Sequence, residues 1–243
     1  GATDSNNTLY GTEEVNPIEG MAGNDNLYGY GGDDRIFGES GNDRLYGGNG
    51  ADLLDGGSGS DTLNGSNGND RLFGGEGSDV LNGGNDDDQL NGGSGNDALS
   101  GDAGNDQLHG GGGNDTLSGG AGADTYIFNL GDGQDRIQDY DTNNAVINRL
   151  VMGDGITRDN IAFARSGSHL MIQVGDNGDQ VQLDNYYVNG YYKLEEIQVA
   201  DEVLSLSALI SDYEVDIWGA TDSNNTLYGT EEVNPIEGMA GND

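Results

Sequence analysis

Twelve aspartates stand at one fixed spacing: Asp25, Asp34, Asp43, Asp52, Asp61, Asp70, Asp79, Asp88, Asp97, Asp106, Asp115 and Asp124, one every nine residues. Carboxylates repeated at a fixed period in turn-forming sequence are oxygen donors for a cation. The chain has no cysteine and two histidines, so softer ligands are nearly absent. Oxygen-only donors suit hard divalent ions better than transition metals. An ordinary Asn- and Asp-rich turn needs no aspartate at one position twelve times over.

The surrounding residues say what positions these carboxylates. Two residues after each aspartate comes an apolar side chain, from Leu27 and Ile36 to Leu117, with Tyr126 closing the row. Four residues after each aspartate up to Asp115 stands a glycine, from Gly29 to Gly119. The unit reads Gly-x-x-Gly-x-Asp-x-apolar-x, as in Gly47 to Asp55. Six residues of Gly, Asn, Ser and Asp suit a turn in which glycine supplies positive φ. Three residues around the apolar position predict a minimal strand with one side chain inward. Two units then make one coil of 18 residues, and stacked coils make an all-β, parallel two-sheet solenoid with the leucine row as its core.

Such a coil sorts the aspartates into two columns. Asp25, Asp43, Asp61, Asp79, Asp97 and Asp115 stack on one edge, and Asp34, Asp52, Asp70, Asp88, Asp106 and Asp124 on the other. Neighbouring coils lie about 4.8 Å apart. Two carboxylates at that distance repel by roughly 0.9 kcal/mol even at the dielectric constant of water. A divalent cation between them reverses the sign.

Composition raises the same demand. The formal charge is −36, 33% of residues are hydrophobic, and 46 are glycine. That balance alone resembles a disordered chain, so a regular repeat must have its charge neutralised. Nucleic acid is excluded as a partner by like-charge repulsion. No apolar run reaches the ~18 residues of a membrane span. The first residues show no secretory leader, and the missing initiator Met marks the chain as an expected fragment.

The repeat is identified as a member of the RTX (repeats-in-toxin) haemolysin-type proteins, whose glycine-rich nonapeptide is a known calcium-binding signature forming a parallel β-roll. The resemblance implies Ca2+ held between coils by aspartates from above and below together with turn carbonyls. Six aspartates per edge define five gaps, so up to about ten ions follow. It also implies secretion by a one-step route to the outside or surface of a Gram-negative cell. The expected function is a calcium-folded structural module of a large repetitive adhesin, disordered in the cytosol and rigid outside. The alternatives are the accessory region of a secreted enzyme or toxin, and a glycan-binding module.

Four segments are expected: a degenerate entry coil at 1–22, the roll at 23–127, a β-rich cap at 128–218, and 219–243, which is identical to 1–25 at an offset of 218. The duplication predicts tandem modules as partners, with the tail packed on the preceding cap or a neighbouring chain. Asn7 and Asn16 occupy the aspartate phase in the entry coil and are secondary ligand candidates. Asp132, Asp135, Asp139 and Asp141 form an oxygen-rich cluster beyond the roll, also candidate ligands. Asp139-x-Asp141-x-Asn143 starts like an EF-hand loop, but Asn144 and Leu150 stand where glycine and glutamate belong, so that reading is rejected. A hairpin is expected across Ser166-Gly167-Ser168, strands at 180–183 and 194–199, and a short helix at 205–210. Asp86 replaces a turn glycine beside Asp87 and Asp88, which makes that turn the doubtful one. Tyr10, Tyr28 and Tyr46 share one register and are expected to cover each other. No metalloprotease or phosphate-loop motif occurs, and no catalytic residue is assigned.

Overall fold

The computed structural model describes residues 2–140, 146–187, 194–200 and 202–212, together with the two-residue strands Thr226–Leu227 and Ile236–Glu237. Two parallel sheets run the length of the roll. One takes the strands that begin with Thr8–Tyr10 and Asn26–Gly31, the other those that begin with Pro17–Glu19 and Arg35–Phe37. Partners lie 18 residues apart, as in Leu27 with Leu45 and Leu72 with Leu90. The expected coil length and two-sheet solenoid are both present.

Most strands of the roll are six residues long, not three, as in Thr62–Asn67 and Gln89–Ser94. The reason is the glycine four residues after each aspartate. Gly65 and Gly92 continue the inward alternation behind Leu63 and Leu90, so both positions are buried. The strand therefore runs through the glycine, and the turn shrinks.

Leu27, Leu45, Leu54, Leu63, Leu72 and Leu81 are fully buried. The row continues through Leu117, Tyr126 and Ile137 into Leu150 and Ile197. Thr125–Phe128, across the expected boundary between roll and cap at 127/128, stays in the roll. It pairs in parallel with Gln107–Gly112 on one side and Arg149–Met152 on the other. In the first sheet Gln134–Ile137 sits between Thr116–Ala121 and Asp179–Leu183, again in parallel. The loss of the nine-residue spacing after 127 is thus a change in loop length, not an end of the ladder.

Antiparallel strands terminate both sheets. The hairpin Ile161–Ser166 with His169–Val174 adds to the first, and turns at Gly167, where φ is +60°. Glu202–Ser205 closes the second and leads into the helix Leu206–Asp212, close to the expected position. In the tail, Thr226–Leu227 and Ile236–Glu237 pair with each other in antiparallel fashion. Their counterparts in the first coil, Thr8–Leu9 and Ile18–Glu19, lie in opposite sheets. The packing expected of 219–243 otherwise falls outside the described residues, as does Asp141.

Candidate metal sites along the carboxylate columns

Each turn is built from three repeated devices. The residue before the aspartate uses its side chain to stack one coil on the next: Asn24 Oδ1 accepts the Asn42 N–H at 2.9 Å and Asn42 Oδ1 the Ser60 N–H at 2.9 Å. Asp33 and Asp87 do the same for Ala51 and Asn105. That explains the Asn, Asp and Ser of the turns, since these side chains bond local backbone N–H groups. The second and fourth unit positions adopt positive φ. Where glycine is replaced there, Met21, Tyr30, Glu39, Ser66, Asp86 and Asp102 still adopt φ between 71° and 85°. The doubtful turn at Asp86 therefore keeps the backbone of its neighbours at a steric cost.

The third device is the carboxylate itself. The twelve aspartates are at most 3% exposed. One oxygen of each bonds the coil below: Asp43 Oδ1 accepts the Asp25 N–H at 2.7 Å, and Asp124 Oδ1 accepts the Asp106 N–H at 2.9 Å. The other oxygen points at the inward glycine of its own coil. A Cβ on Gly29 would lie 2.3 Å from Asp34 Oδ2, and one on Gly65 2.2 Å from Asp70 Oδ2. From Asp25 to Asp115 every Oδ2 is buried and makes no hydrogen bond. A buried carboxylate oxygen with nothing to neutralise it is costly.

The electrostatics register that cost. Burial pushes Asp43, Asp52, Asp61, Asp88, Asp97 and Asp115 up to about 6. It pushes Asp106 to about 7 and Asp70 to about 8. At Asp70 the Asp52 N–H pulls back, while the Asp52, Asp88 and Asp86 carboxylates push further. Burial thus holds these carboxylates well above the usual carboxylate range.

The columns extend past the nonapeptides. Asp135 Oδ1 accepts the Asp115 N–H at 3.0 Å, twenty residues on. Burial lifts Asp135 to about 8. On the other edge Asn148 Oδ1 accepts the Asp124 N–H at 2.8 Å, and Glu195 Oε2 accepts the Asn148 N–H at 2.8 Å. Asn148 and Glu195 were not expected. The one signal was local: Asn148-Arg149-Leu150 and Asp135-Arg136-Ile137 repeat the pattern of Asp43-Arg44-Leu45 out of phase.

The expected cluster beyond the roll is divided. Asp132 Oδ2 meets His109 Nε2 at 3.1 Å and the Asn129 N–H at 2.6 Å. Asp139 instead bonds the Asn148 side-chain amide at 2.5 Å, beside the second column. Asn7 and Asn16 do take the first place in each column: their N–H groups donate to Asp25 and Asp34 Oδ1.

Among the described residues no three His, Cys, Asp or Glu side chains converge into a metal cage. Any ion here needs backbone oxygens beside the carboxylates, as calcium accepts and zinc does not favour. Buried, unsatisfied oxygens in regular columns fit that donor chemistry.

A family model described as the RTX calcium-binding nonapeptide repeat matches seven segments that together cover 2–137 and 220–243. The chain belongs to the RTX family. The RTX nonapeptides account for its calcium binding and for its β-roll. A second model, the haemolysin-type calcium binding protein related domain, matches 169–205. The iron-regulated protein FrpA of Neisseria meningitidis serogroup C is 41% identical over 120 residues, 48% of this chain and 10% of that protein. The extracellular lipase LipA of Serratia marcescens is 21% identical, with a TM-score of 0.24 over 72% of this chain and 37% of that one. The RTX chain thus spans a small part of either relative's length. No helix among its described residues is long and apolar enough to cross a membrane.

Outward on the first sheet, Tyr10, Tyr28 and Tyr46 stack at 5.3 and 4.9 Å between centroids. They stack on one another, with Tyr10 at the open end still exposed. On the opposite sheet Arg71 lies over the Phe73 ring at 5.4 Å.

Proposed function

We propose that the two aspartate columns hold calcium between coils, and that calcium decides whether the roll folds. The observation that carries this is the run of buried Oδ2 atoms without hydrogen-bond partners from Asp25 to Asp115. Calcium takes six to eight oxygens, carbonyls included, and the glycine-rich turns leave carbonyls unobstructed by side chains. Five gaps per column give up to about ten ions. At a free concentration ten times its dissociation constant each ion contributes roughly 1.4 kcal/mol, comparable in sum to a domain's whole stability of ~5–15 kcal/mol.

The chain then works as a non-catalytic module of a large, secreted, repetitive RTX protein of adhesin type. It leaves the cell unfolded at low calcium and stiffens outside. The identity of 219–243 with 1–25 supports a tandem arrangement, with the entry coil at 1–22, the nonapeptide roll at 23–127, its irregular continuation and antiparallel cap within 128–218, and a new module from 219. Accessory regions of secreted enzymes are the competing class; the domain order of the full-length protein separates the two.

The test is a calorimetric calcium titration of the chelated chain, followed in parallel by far-UV circular dichroism. Folding with uptake of several ions per chain is expected. An unchanged spectrum between chelator and saturating calcium overturns the folding role; no heat of binding overturns the sites.

A further inference from the structure

The first rung of each column differs from the aspartate rungs that follow it, because the aspartate position carries an amide. Asn7 Nδ2 donates to the Thr3 carbonyl at 2.8 Å, to the Ser5 carbonyl, and to Asp25 Oδ1 at 3.3 Å. Asn16 Nδ2 donates to the Glu14 carbonyl, to Asp34 Oδ1 at 3.1 Å and to Thr12 Oγ1 at 3.3 Å. Both nitrogens sit among three oxygens, and two of the three are equivalent in the two turns: the carbonyl two residues upstream, and the carboxylate of the next coil. Ser5 and Glu14 hold the fourth position of their units, where Gly23 and Gly32 stand one coil later. A side-chain amide offers two N–H donors and no charge. It therefore bonds a carbonyl and the Oδ1 of the next coil's carboxylate at once, while Oδ2 of Asp25 and of Asp34 is left for the rung further in.

We infer that Asn7 and Asn16 are built-in substitutes for a cation, which close the first rung of each column and fix where metal loading begins. This rests on the calcium reading proposed above. The entry coil then docks on the next through amide bonds that exist at any calcium concentration, and the first ion sits one rung further in, between Asp25 and Asp43 or Asp34 and Asp52. The same two residues recur as Asn225 and Asn234 in the duplicated segment, so each repeat of the module would restart both columns with an amide.

The experiment measures calcium bound per chain at saturation by equilibrium dialysis of the full chain. Asn7→Asp and Asn16→Asp each exchange the donor amide for a carboxylate facing Asp25 or Asp34. Each is expected to bind one ion more than the wild type, and the double variant two more. Asn64→Asp adds the same charge on the sheet face, where the side chain bonds Asn82 and Ser66, and is expected to add none. The reverse exchange, Asp25→Asn, moves the amide one rung inward and is expected to cost one ion while circular dichroism in calcium stays native. This variant keeps the test decisive if a new carboxylate at the open end prevents folding. Unchanged stoichiometry in Asn7→Asp and Asn16→Asp, with the wild type loading normally, overturns the inference and leaves the calcium reading intact. A wild type that binds no calcium overturns both.

Discussion

The Asp25 N–H donates to Asp43 Oδ1 at 2.7 Å, across eighteen residues of chain. This bond orients the carboxylate: with Oδ1 held by the coil below, Oδ2 must turn inward, where the Asp43 Oδ2 lies 2.5 Å from the place a Cβ on Gly38 would take. Side-chain orientation, glycine requirement and ion demand are thus one device, repeated along both edges.

Gly65→Ala tests that device. Its Cβ would meet Asp70 Oδ2 at 2.2 Å and Asp70 Cγ at 2.8 Å, while Gly112 has nothing within 4 Å. Overpacking typically costs about 1–3 kcal/mol. Gly65→Ala is expected to lower the thermal midpoint in calcium and weaken calcium uptake. Gly112→Ala is expected to change neither.

The core row predicts a second contrast. Leu72 is fully buried and Val80 is 49% exposed. Leu72→Ala in calcium is expected to lose ~2–5 kcal/mol by denaturant unfolding. Val80→Ala is expected to stay within about 0.5 kcal/mol.

Asp86→Gly should stabilise. Asp86 holds φ at +75°, a conformation that costs a non-glycine residue roughly 1–2 kcal/mol. Its charge also pushes on Asp70 and Asp88. A higher thermal midpoint in calcium is expected.

Protons and calcium compete for the columns. The folded-state values of Asp43, Asp106 and Asp70 are raised to about 6, 7 and 8, so the metal-free folded state binds protons that the unfolded chain has released above pH ~4. Stability from these groups is then fully present below the unfolded value and is lost as pH rises through 6 to 8. Chelated protein is expected to be more structured at pH 5 than at pH 8 by circular dichroism. Calcium must displace the same protons, so its apparent affinity is expected to rise from pH 5 to pH 8. An apo chain more stable at pH 8 than at pH 5 would refute the assignment.

Much of this was legible before any coordinates. The hairpin at Ser166-Gly167-Ser168 and the helix near 206–212 followed from local turn and capping residues, and the tyrosine ladder from a shared register. Asn148 and Glu195 were not legible. Their approach to the second column depends on strands 47 residues apart pairing in parallel, as Arg149 does with Glu196. The only local mark, the Asn148-Arg149-Leu150 echo of Asp43-Arg44-Leu45, lies out of phase and does not give that register.

The sequence by itself determined the nine-residue period, the two columns and the leucine core, because a short repeated unit writes its geometry into every copy. Tertiary structure alone decided where the columns end. Loops of irregular length carry Asp135, Asn148 and Glu195 back onto the two edges, and at the other end the amides of Asn7 and Asn16 turn into their own turns. Both ends are set by contacts between coils, and the period does not encode them.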